Sequence, residues 1–390
     1  MSEKITKLGV IIGRFQPIHN GHIKNVISPA LQASDYVLFL LGSANRSTNS
    51  KNPFTFEERR EMILAAVAEL DESYPEKCKF SPINDYEYNP NSWLAEVQAE
   101  VDKGVAAFEF LNKEAEVTLF GSKKDSSSYY LDLFPQWKVW LGSPESTGKF
   151  SATNVRHHMW RGKYPGHLVP QAVSNWLTKF SYTEKYRTLC KEYAFLTKYK
   201  SQFQRPQHLD DFVGSNAGSS NEVLYAKLVA EELAGRNFYE PYFITVDSVV
   251  LFKGQVLLIK RGHQPGKGLW ALPGGFLSHQ ETCLTSAIRE VKEETKLQLK
   301  PEWLKAKDVF DSPERSLRGR TVTHGFLFEI PFGSTEQSLQ NHAMARSIKA
   351  SDDAADVAWV PLGTALEDPE YANNMFEDHH SILFNLASKI

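Results

Sequence analysis

Three glutamates in the last third of the chain have a spacing that could bind a metal ion. Glu290, Glu293 and Glu294 stand at positions i, i+3 and i+4 of a segment that follows Gly275 and Glu281. On a helix of about 3.6 residues per turn, this spacing places the carboxylates on one arc, where they repel each other. A hard divalent cation would turn that repulsion into binding, because it prefers oxygen ligands. The same spacing is typical of a solvated acidic face, so the glutamates alone leave both interpretations open.

A second group of residues near the N-terminus could bind phosphate. His19 and His22 are three residues apart and follow an apolar strand (residues 8–12), Gly13 and Arg14. The free N–H groups at the start of the next helix would attract an anion, and both histidines would face it. A lone histidine is usually structural, but two histidines with an arginine at a helix start favour a phosphate site.

The apolar patterns around the first group predict a parallel α/β unit. A strand at residues 8–12 is followed by a helix whose apolar residues recur on one side, and then by a second strand at residues 36–41. Strand, helix and strand in this order form a parallel sheet whose ligands lie at the carboxyl ends of the strands.

Mixed strands and a carboxylate helix are predicted in the last third of the chain. Residues 243–252 and 255–260 form an expected hairpin, and later strands are expected at 322–330 and 357–360. The carboxylate helix begins near Thr282, and its apolar residues recur at helical spacing to form one buried stripe.

The composition is that of a globular protein with more than one domain. A chain of 390 residues predicts two or three domains, which we place at residues 1–180, 181–240 (a helical connector) and 241–390. A net charge of -3 gives no support for nucleic-acid binding, and no apolar run is long enough to span a membrane. The 3 cysteines and the lack of a signal-peptide core predict a cytoplasmic protein without disulfides or a zinc site.

The segment from Gly275 to Leu297 resembles the Nudix box, the signature of hydrolases that cleave nucleoside diphosphates linked to another group. Lys296 stands where that family has a glycine. The resemblance implies an α/β/α sandwich with a mixed sheet and a site for Mg²⁺, with Mn²⁺ as an alternative. It implies that Arg289 orients a glutamate, and it assigns the metal to Glu290, Glu293, Glu294, Glu281 and Gly275.

The segment from Gly13 to His22 resembles the His-x-Gly-His motif of nucleotidyltransferases, in the form carried by archaeal-type nicotinamide mononucleotide adenylyltransferases. Residues 151–156 fit the second half of that family's signature. The resemblance implies a Rossmann-like domain that transfers AMP from ATP to nicotinamide mononucleotide. It assigns catalysis to His19, His22 and Arg156. It assigns nucleotide binding to Gly13, Arg14, Phe15, Gln16, Gly42, Ser43, Lys51, Ser151 and Thr153.

Asp85 and Trp93 are the residues that the same family pattern assigns to the nicotinamide end of the substrate. An indole face can stack on a flat, cationic pyridinium ring. A tryptophan packed in the core is an equally good interpretation of Trp93.

An arginine-rich loop outside the Nudix box resembles the corresponding segment of ADP-ribose pyrophosphatases. Arg315, Arg318 and Arg320 would bind the diphosphate or the terminal phosphate of ADP-ribose, although an exposed basic loop is nearly as good an interpretation. The implied products of hydrolysis are AMP and ribose 5-phosphate.

Together these patterns predict a bifunctional enzyme of NAD metabolism whose substrates are ATP, nicotinamide mononucleotide and ADP-ribose. In one alternative, the Nudix domain senses ADP-ribose without cleaving it and regulates the transferase. In another, the transferase uses a different phosphorylated acceptor, such as nicotinate mononucleotide. The sequence leaves the oligomeric state open, a homo-oligomer included.

Overall fold

The computed structural model describes residues 5–86, 88–109, 115–122, 130–142, 150–163, 165–201, 242–333 and 335–390. Most of the predicted connector, residues 202–240, lies outside these ranges. No helix within them is long and apolar enough to cross a membrane.

A parallel sheet of five strands forms the centre of the N-terminal half, as the strand–helix–strand pattern predicted. The strands run β3-β2-β1-β4-β5 across the sheet, and each neighbouring pair is parallel. They are β1 (Thr6–Gly13), β2 (Tyr36–Leu41), β3 (Cys78–Pro82), β4 (Ala115–Gly121) and β5 (Lys138–Leu141). The order reverses at β1, so a crevice opens beyond its carboxyl end, where the histidine loop begins.

Helices cover both faces of this sheet and bury two apolar clusters against it. The helices are α1 (Asn20–His22), α2 (Ser28–Ala33), α3 (Phe56–Ala68), α4 (Tyr74–Lys77), α5 (Pro90–Glu109), α6 (Ala152–Trp160), α7 (Gln171–Phe180) and α8 (Glu184–Ser201). A π-helical turn, Ile23–Ile27, joins α1 to α2. The first helix of the predicted connector, α8, packs through Leu189 on the core of this sheet.

A mixed sheet of seven strands forms the centre of the C-terminal half. Its main path is β10-β11-β6-β7-β12; β8 pairs with β7, and β9 with β6. β11 and β6 are parallel, whereas the other pairs are antiparallel. The strands are β6 (Phe243–Phe252), β7 (Gln255–Arg261), β8 (Trp270–Ala271), β9 (Gly274–Phe276), β10 (Leu304–Phe310), β11 (Thr321–Glu329) and β12 (Ala354–Pro361). The predicted hairpin and both later strands are confirmed.

Helices on opposite faces of the mixed sheet complete an α/β/α sandwich, as predicted. The carboxylate helix, α9 (Cys283–Thr295), buries Ala287 and Val291 against one face. The C-terminal helix, α13 (His379–Ala387), buries Ile382 and Leu386 against the other. The remaining helices are α10 (Glu336–Arg346), α11 (Leu362–Glu367) and α12 (Pro369–Ala372).

Candidate active sites

The two histidines of the N-terminal motif form a stacked pair at the start of α1. Their ring centroids are 3.6 Å apart, and the planes differ by 18°. The Nδ1 atom of each ring accepts a hydrogen bond from the backbone N–H of the other residue, at 3.3 Å in both cases. In a neutral imidazole, a Nδ1 acceptor leaves the proton on Nε2. Both rings can therefore donate from Nε2 to an anion.

A tight backbone turn holds this pair beside the end of β1. Phe15 has a positive φ of 48°, and its ring contacts the ring of His22 edge-on at 4.9 Å. A Cβ atom on Gly21 would lie 3.1 Å from the His19 ring and 3.0 Å from Phe150, so the close packing of the histidine loop favours glycine there.

Most of the predicted transferase residues line one cleft of about 390 Å³ at the carboxyl end of the sheet. The histidine pair lies together with both residues predicted for the nicotinamide end. The lining includes Gly13, Arg14, Phe15, His19, His22, Gly42, Asp85 and Trp93. The cleft therefore brings together the phosphate and nicotinamide ends of the predicted site.

Trp93 packs against the core, as one interpretation of its sequence position predicted, whereas its stacking on a pyridinium ring stays a prediction. It lines this cleft and also packs against the apolar cluster beneath it, with Tyr130 and Phe134 at centroid distances of 6.3 and 6.1 Å. Its indole is therefore held in a defined orientation while part of it faces the cleft.

Gln16 and Ser43 are buried beside the cleft rather than among its lining residues. The side-chain amide of Gln16 donates to the carbonyl of Phe54 at 2.8 Å and accepts from its N–H at 2.9 Å. Ser43 has a positive φ of 57°. These contacts shape the loops of the site.

Lys51, Thr153 and Arg156 line a neighbouring cleft of about 710 Å³ between the two domains. Arg156 donates to the carbonyl of Gln16 at 2.6 Å, which ties α6 to the histidine loop. Burial, together with the nearby charge of Arg14, lowers the pKa of Arg156 to about 10. Ser151 is the N-cap of α6, and its hydroxyl accepts from the N–H of Asn154 at 3.1 Å.

Arg59 is a positioning residue that the sequence patterns did not single out. Its side chain is 1% exposed and donates to the carbonyls of Arg14 (2.8 Å), Gly42 (2.6 Å) and Thr55 (3.1 Å). Burial lowers its pKa to about 10. Arg59 lies within α3, and only the fold shows that it joins two loops of the cleft.

In the C-terminal domain, the carboxylate helix starts where the sequence suggested. Thr282 is its N-cap and accepts from the N–H of Thr285 at 3.2 Å. Lys296 ends it in the left-handed conformation, with φ 62°. Glycine is favoured at this position of a helix end, which explains the family's residue there.

Arg289 binds carboxylates of the Nudix box, as predicted. Its Nε donates to Glu281 at 2.8 Å, and its Nη1 donates to Glu293 at 2.7 Å and lies 2.9 Å from Glu290. These hydrogen bonds, that of Glu281 above all, raise the pKa of Arg289. The same bond to Arg289 lowers the pKa of Glu281.

Glu294 is a buried carboxylate of the site, and Glu290 is half-buried beside it. Burial raises the pKa of both, and the charge of Glu290 adds to the effect on Glu294. Glu294 accepts from the N–H of Gly274 at 3.0 Å, while a Cβ atom on Gly275 would lie 2.6 Å from the Glu290 carboxylate. The glycine turn and these two carboxylates therefore meet at one place.

The oxygen-rich donor set fits a hard divalent cation. The like-charged carboxylates of Glu290 and Glu294 repel each other, and such an ion would stabilise both. Across the described part of the chain, no three acidic, histidine or cysteine side chains converge as a ready-made metal site. The orientation of Glu281 and Glu293 toward Arg289 accounts for this. Their predicted contact with metal requires them to turn from the guanidinium.

The three arginines of the predicted ADP-ribose loop have different surroundings. Arg315 is buried, and its Nε and Nη2 donate to Asp378 at 2.9 and 2.7 Å. Arg318 lies over the rings of Phe276 and Phe376, at 5.1 and 5.7 Å. Arg320 donates to the carbonyl of Asp311.

Of these three arginines, Arg318 contacts the ring of Phe276, which directly follows Gly275 of the glycine turn. Arg261, which the sequence patterns did not single out, lies over the ring of Phe376, 4.0 Å from its centroid. Burial lowers its pKa. The two guanidinium groups and the two rings border the site on one side.

Comparisons with protein families assign one family to each half of the chain. Residues 10–156 match the cytidylyltransferase-like family, and residues 242–378 match the NUDIX domain family. The two matched segments contain the histidine cleft and the carboxylate helix, respectively.

Relatives of the separate halves have single functions in their names. The N-terminal half is 38% identical, over 185 residues, to a nicotinamide/nicotinic acid mononucleotide adenylyltransferase of Acinetobacter baylyi, covering 47% of this chain and 92% of that protein. A 119-residue segment is 34% identical to an ADP-ribose pyrophosphatase of Methanocaldococcus jannaschii, covering 30% of this chain and 62% of that protein.

One solved structure matches nearly the whole chain. It is a bifunctional NMN adenylyltransferase/ADP ribose pyrophosphatase from Francisella tularensis, complexed with AMP and a manganese ion. The two proteins are 31% identical, the match covers 99% of each chain, and the TM-score is 0.76.

Proposed function

The chain belongs to the family of bifunctional NMN adenylyltransferase/ADP-ribose pyrophosphatases, and on that premise we propose two reactions for it. The N-terminal domain transfers AMP from ATP to nicotinamide mononucleotide and so forms NAD and pyrophosphate. The C-terminal domain hydrolyses ADP-ribose to AMP and ribose 5-phosphate. The observation that carries this proposal is that each domain has its own group of candidate catalytic residues. The histidine pair lies in the cleft of the N-terminal domain, and Glu290 and Glu294 lie beside the glycine turn of the C-terminal domain.

The N-terminal site works by positioning and charge stabilisation. The 5′-phosphate of the acceptor attacks the α-phosphate of ATP in line, and pyrophosphate leaves, with no covalent enzyme intermediate. His19 and His22 donate from Nε2 to the phosphate oxygens, where charge builds up in the transition state. Arg14 and Arg156 neutralise charge on the triphosphate.

At the other end of the cleft, Trp93 stacks on the pyridinium ring and Asp85 accepts from the carboxamide of the acceptor. The name of the Acinetobacter baylyi relative makes nicotinate mononucleotide a second candidate acceptor. The Asp85 carboxylate would repel the carboxylate of nicotinate. We therefore expect nicotinamide mononucleotide to be the better acceptor, as measured by kcat/KM for each.

At the C-terminal site we propose Mg²⁺ as the ion, with Mn²⁺ as a substitute. The carboxylates of Glu290 and Glu294 bind the ion, and Glu293, Glu281 and Gly275 are its further ligands. The ion, when bound, would polarise the diphosphate and lower the pKa of a bound water. Arg289 holds Glu281 and Glu293, and Arg318 binds a phosphate of ADP-ribose.

Catalysis explains the C-terminal site better than ligand sensing does. Without a cation, burial opposes the ionisation of Glu290 and Glu294. A site that only binds ADP-ribose has no need to keep two such carboxylates together beside a glycine turn. This arrangement is what a hydrolase that uses a metal ion requires.

Assays of the purified full chain test both reactions. With ATP, nicotinamide mononucleotide and Mg²⁺, NAD and pyrophosphate should form in equal amounts; with ADP-ribose and Mg²⁺, AMP and ribose 5-phosphate should form. EDTA should abolish the second reaction, and Mg²⁺ or Mn²⁺ should restore it. Binding of ADP-ribose without AMP release would contradict the hydrolase assignment, and formation of no dinucleotide from either mononucleotide would contradict the transferase assignment.

A further inference from the structure

The carboxylate proposed to bind the acceptor, Asp85, is held by two residues of a neighbouring loop. Asn45 accepts from the Asp85 N–H at 2.9 Å and donates to its carbonyl at 3.2 Å. Arg46 Nε donates to the Asp85 carboxylate at 3.3 Å. With 14% of its side chain exposed, against 31% for Asp85, Arg46 is the more buried member of this ion pair.

The other end of the Arg46 guanidinium reaches the Nudix domain. Its Nη1 donates to the backbone carbonyl of Glu377. Glu377 has a positive φ of 46°, a conformation that L-residues rarely adopt. Its carboxylate accepts from the hydroxyl of Ser316 and the N–H of Leu317, both at 2.9 Å. These side-chain contacts hold the strained turn and so aim its carbonyl at Arg46.

A second bridge between the domains lies directly beside the first. The Tyr88 hydroxyl donates to the buried Asp378 at 2.6 Å, and the ring of Tyr88 contacts Phe310 edge-on at 4.9 Å. Asp378 also accepts from Arg315. The loop that carries Asp85 is therefore attached to the Nudix domain directly through Tyr88 and indirectly through Arg46 of the neighbouring loop.

We propose that the Nudix domain completes the acceptor site of the transferase, with Arg46 and Glu377 as positioning residues for the Asp85 carboxylate. This inference rests on the proposed transferase function. One guanidinium joins two acceptors in different domains, so its orientation toward Asp85 depends on the Glu377 carbonyl. Loss of either partner frees the carboxylate, and recognition of the nicotinamide end weakens while the ATP end keeps its contacts.

The test compares acceptor and ATP kinetics in four full-length variants. Arg46→Ala should raise the KM for nicotinamide mononucleotide about tenfold, as expected for loss of a hydrogen bond to a charged group, and leave the KM for ATP unchanged. Arg46→Lys keeps the positive charge but lacks the forked guanidinium that reaches both acceptors, so its KM for nicotinamide mononucleotide should rise less than that of Arg46→Ala. Glu377→Ala, made in the other domain, removes the side-chain contacts that hold the turn but keeps its strain, and should raise the same KM. The matched control is Arg187→Ala, whose exposed side chain pairs with Glu184.

A double variant tests whether the two residues act together. If Arg46 works through the Glu377 carbonyl, Arg46→Ala combined with Glu377→Ala should have no larger effect than the stronger single change. An unchanged acceptor KM in Arg46→Ala, equal rises in both KM values, or a double effect equal to the product of the single effects would overturn the inference. Wild-type protein that forms no NAD would instead overturn the proposed function.

Discussion

At the scale of single residues, similar side chains in one loop have different surroundings. Arg315 and Arg318 are three residues apart, yet the first is buried on Asp378 and the second lies over two aromatic rings beside the glycine turn. Burial opposes the charge of Asp378, but Arg315 outweighs it and lowers the pKa of that carboxyl. The donors of Arg315 that face Asp378 are thus already used, which leaves Arg318 as the better candidate for substrate binding.

Replacing Arg318 with alanine should weaken ADP-ribose binding. We expect Arg318→Ala to raise the KM for ADP-ribose about tenfold or more, because it removes a charged hydrogen-bond donor from the phosphates. Steady-state AMP release measures this change. Arg346→Ala, at an exposed position of the same domain, is the matched control. A KM that differs from wild type by less than a factor of two would contradict the assignment.

The sequence predicted the residue types of both sites because those residues lie close together in the chain. The histidine pair spans residues 19–22, and the carboxylates of α9 span 290–294. Arg315 could not be assigned in this way, since its partner Asp378 is 63 residues away. Arg59 likewise braces loops that are 45 and 17 residues distant. Such contacts depend on tertiary packing, which local spacing does not report.

At the scale of elements, the end of α9 accounts for Lys296. The residue takes a left-handed conformation that costs an L-residue about 1 kcal/mol, whereas glycine adopts it freely. Lys296 Nζ donates to the carbonyl of Glu293 at 3.3 Å, an exposed contact that offsets little of this cost.

Lys296→Gly should therefore stabilise the Nudix domain. We expect the free energy of unfolding to rise by about 0.5–1 kcal/mol, measured by denaturant titration followed by circular dichroism. Lys296→Ala is the matched control: it removes the same side chain but keeps the strain, so it should give no such gain. Equal stabilities for the two variants would show that backbone conformation is not the cause.

The helix after the histidine motif shows where element prediction stops. Its apolar spacing indicated one amphipathic helix, but the structure contains the π-helical turn Ile23–Ile27 before α2. Pro29 lacks an N–H group, so the ordinary bond to the carbonyl of Asn25 cannot form and the turn before it widens. The hydrogen bonds of a π-helical turn span one residue more than those of an α-helix, and hydrophobic periodicity alone does not reveal this difference.

At the scale of the whole molecule, the two domains share a buried polar contact. Tyr88, Arg315 and Asp378 join segments up to 290 residues apart in the chain. Desolvation, followed by the charge of Asp378, raises the pKa of Tyr88, so its hydroxyl stays a donor. One fully buried carboxylate therefore contributes to the relative position of the two domains, beside the bridge formed by Arg46 and Glu377.

Asp378→Asn should destabilise the protein strongly. Removing one member of a buried ion pair leaves Arg315 without its counter-charge, and we expect a loss of about 3–5 kcal/mol in the free energy of unfolding. Thermal and denaturant unfolding of the full chain measure this loss. Asp356→Asn, at an exposed position, should change stability by less than about 0.5 kcal/mol. Similar values for both variants would contradict a structural role for Asp378.

If the chain contains two separate active sites, one variant in each site should remove one reaction and leave the other. NAD formation and AMP release are measured on wild type, His22→Ala and Glu294→Gln. His22→Ala should lower the rate of NAD formation by about 100-fold or more and keep AMP release from ADP-ribose. Glu294→Gln should lower AMP release by about 1000-fold and keep NAD formation. Loss of both activities in either variant, or wild-type rates of the targeted reaction, would contradict the account.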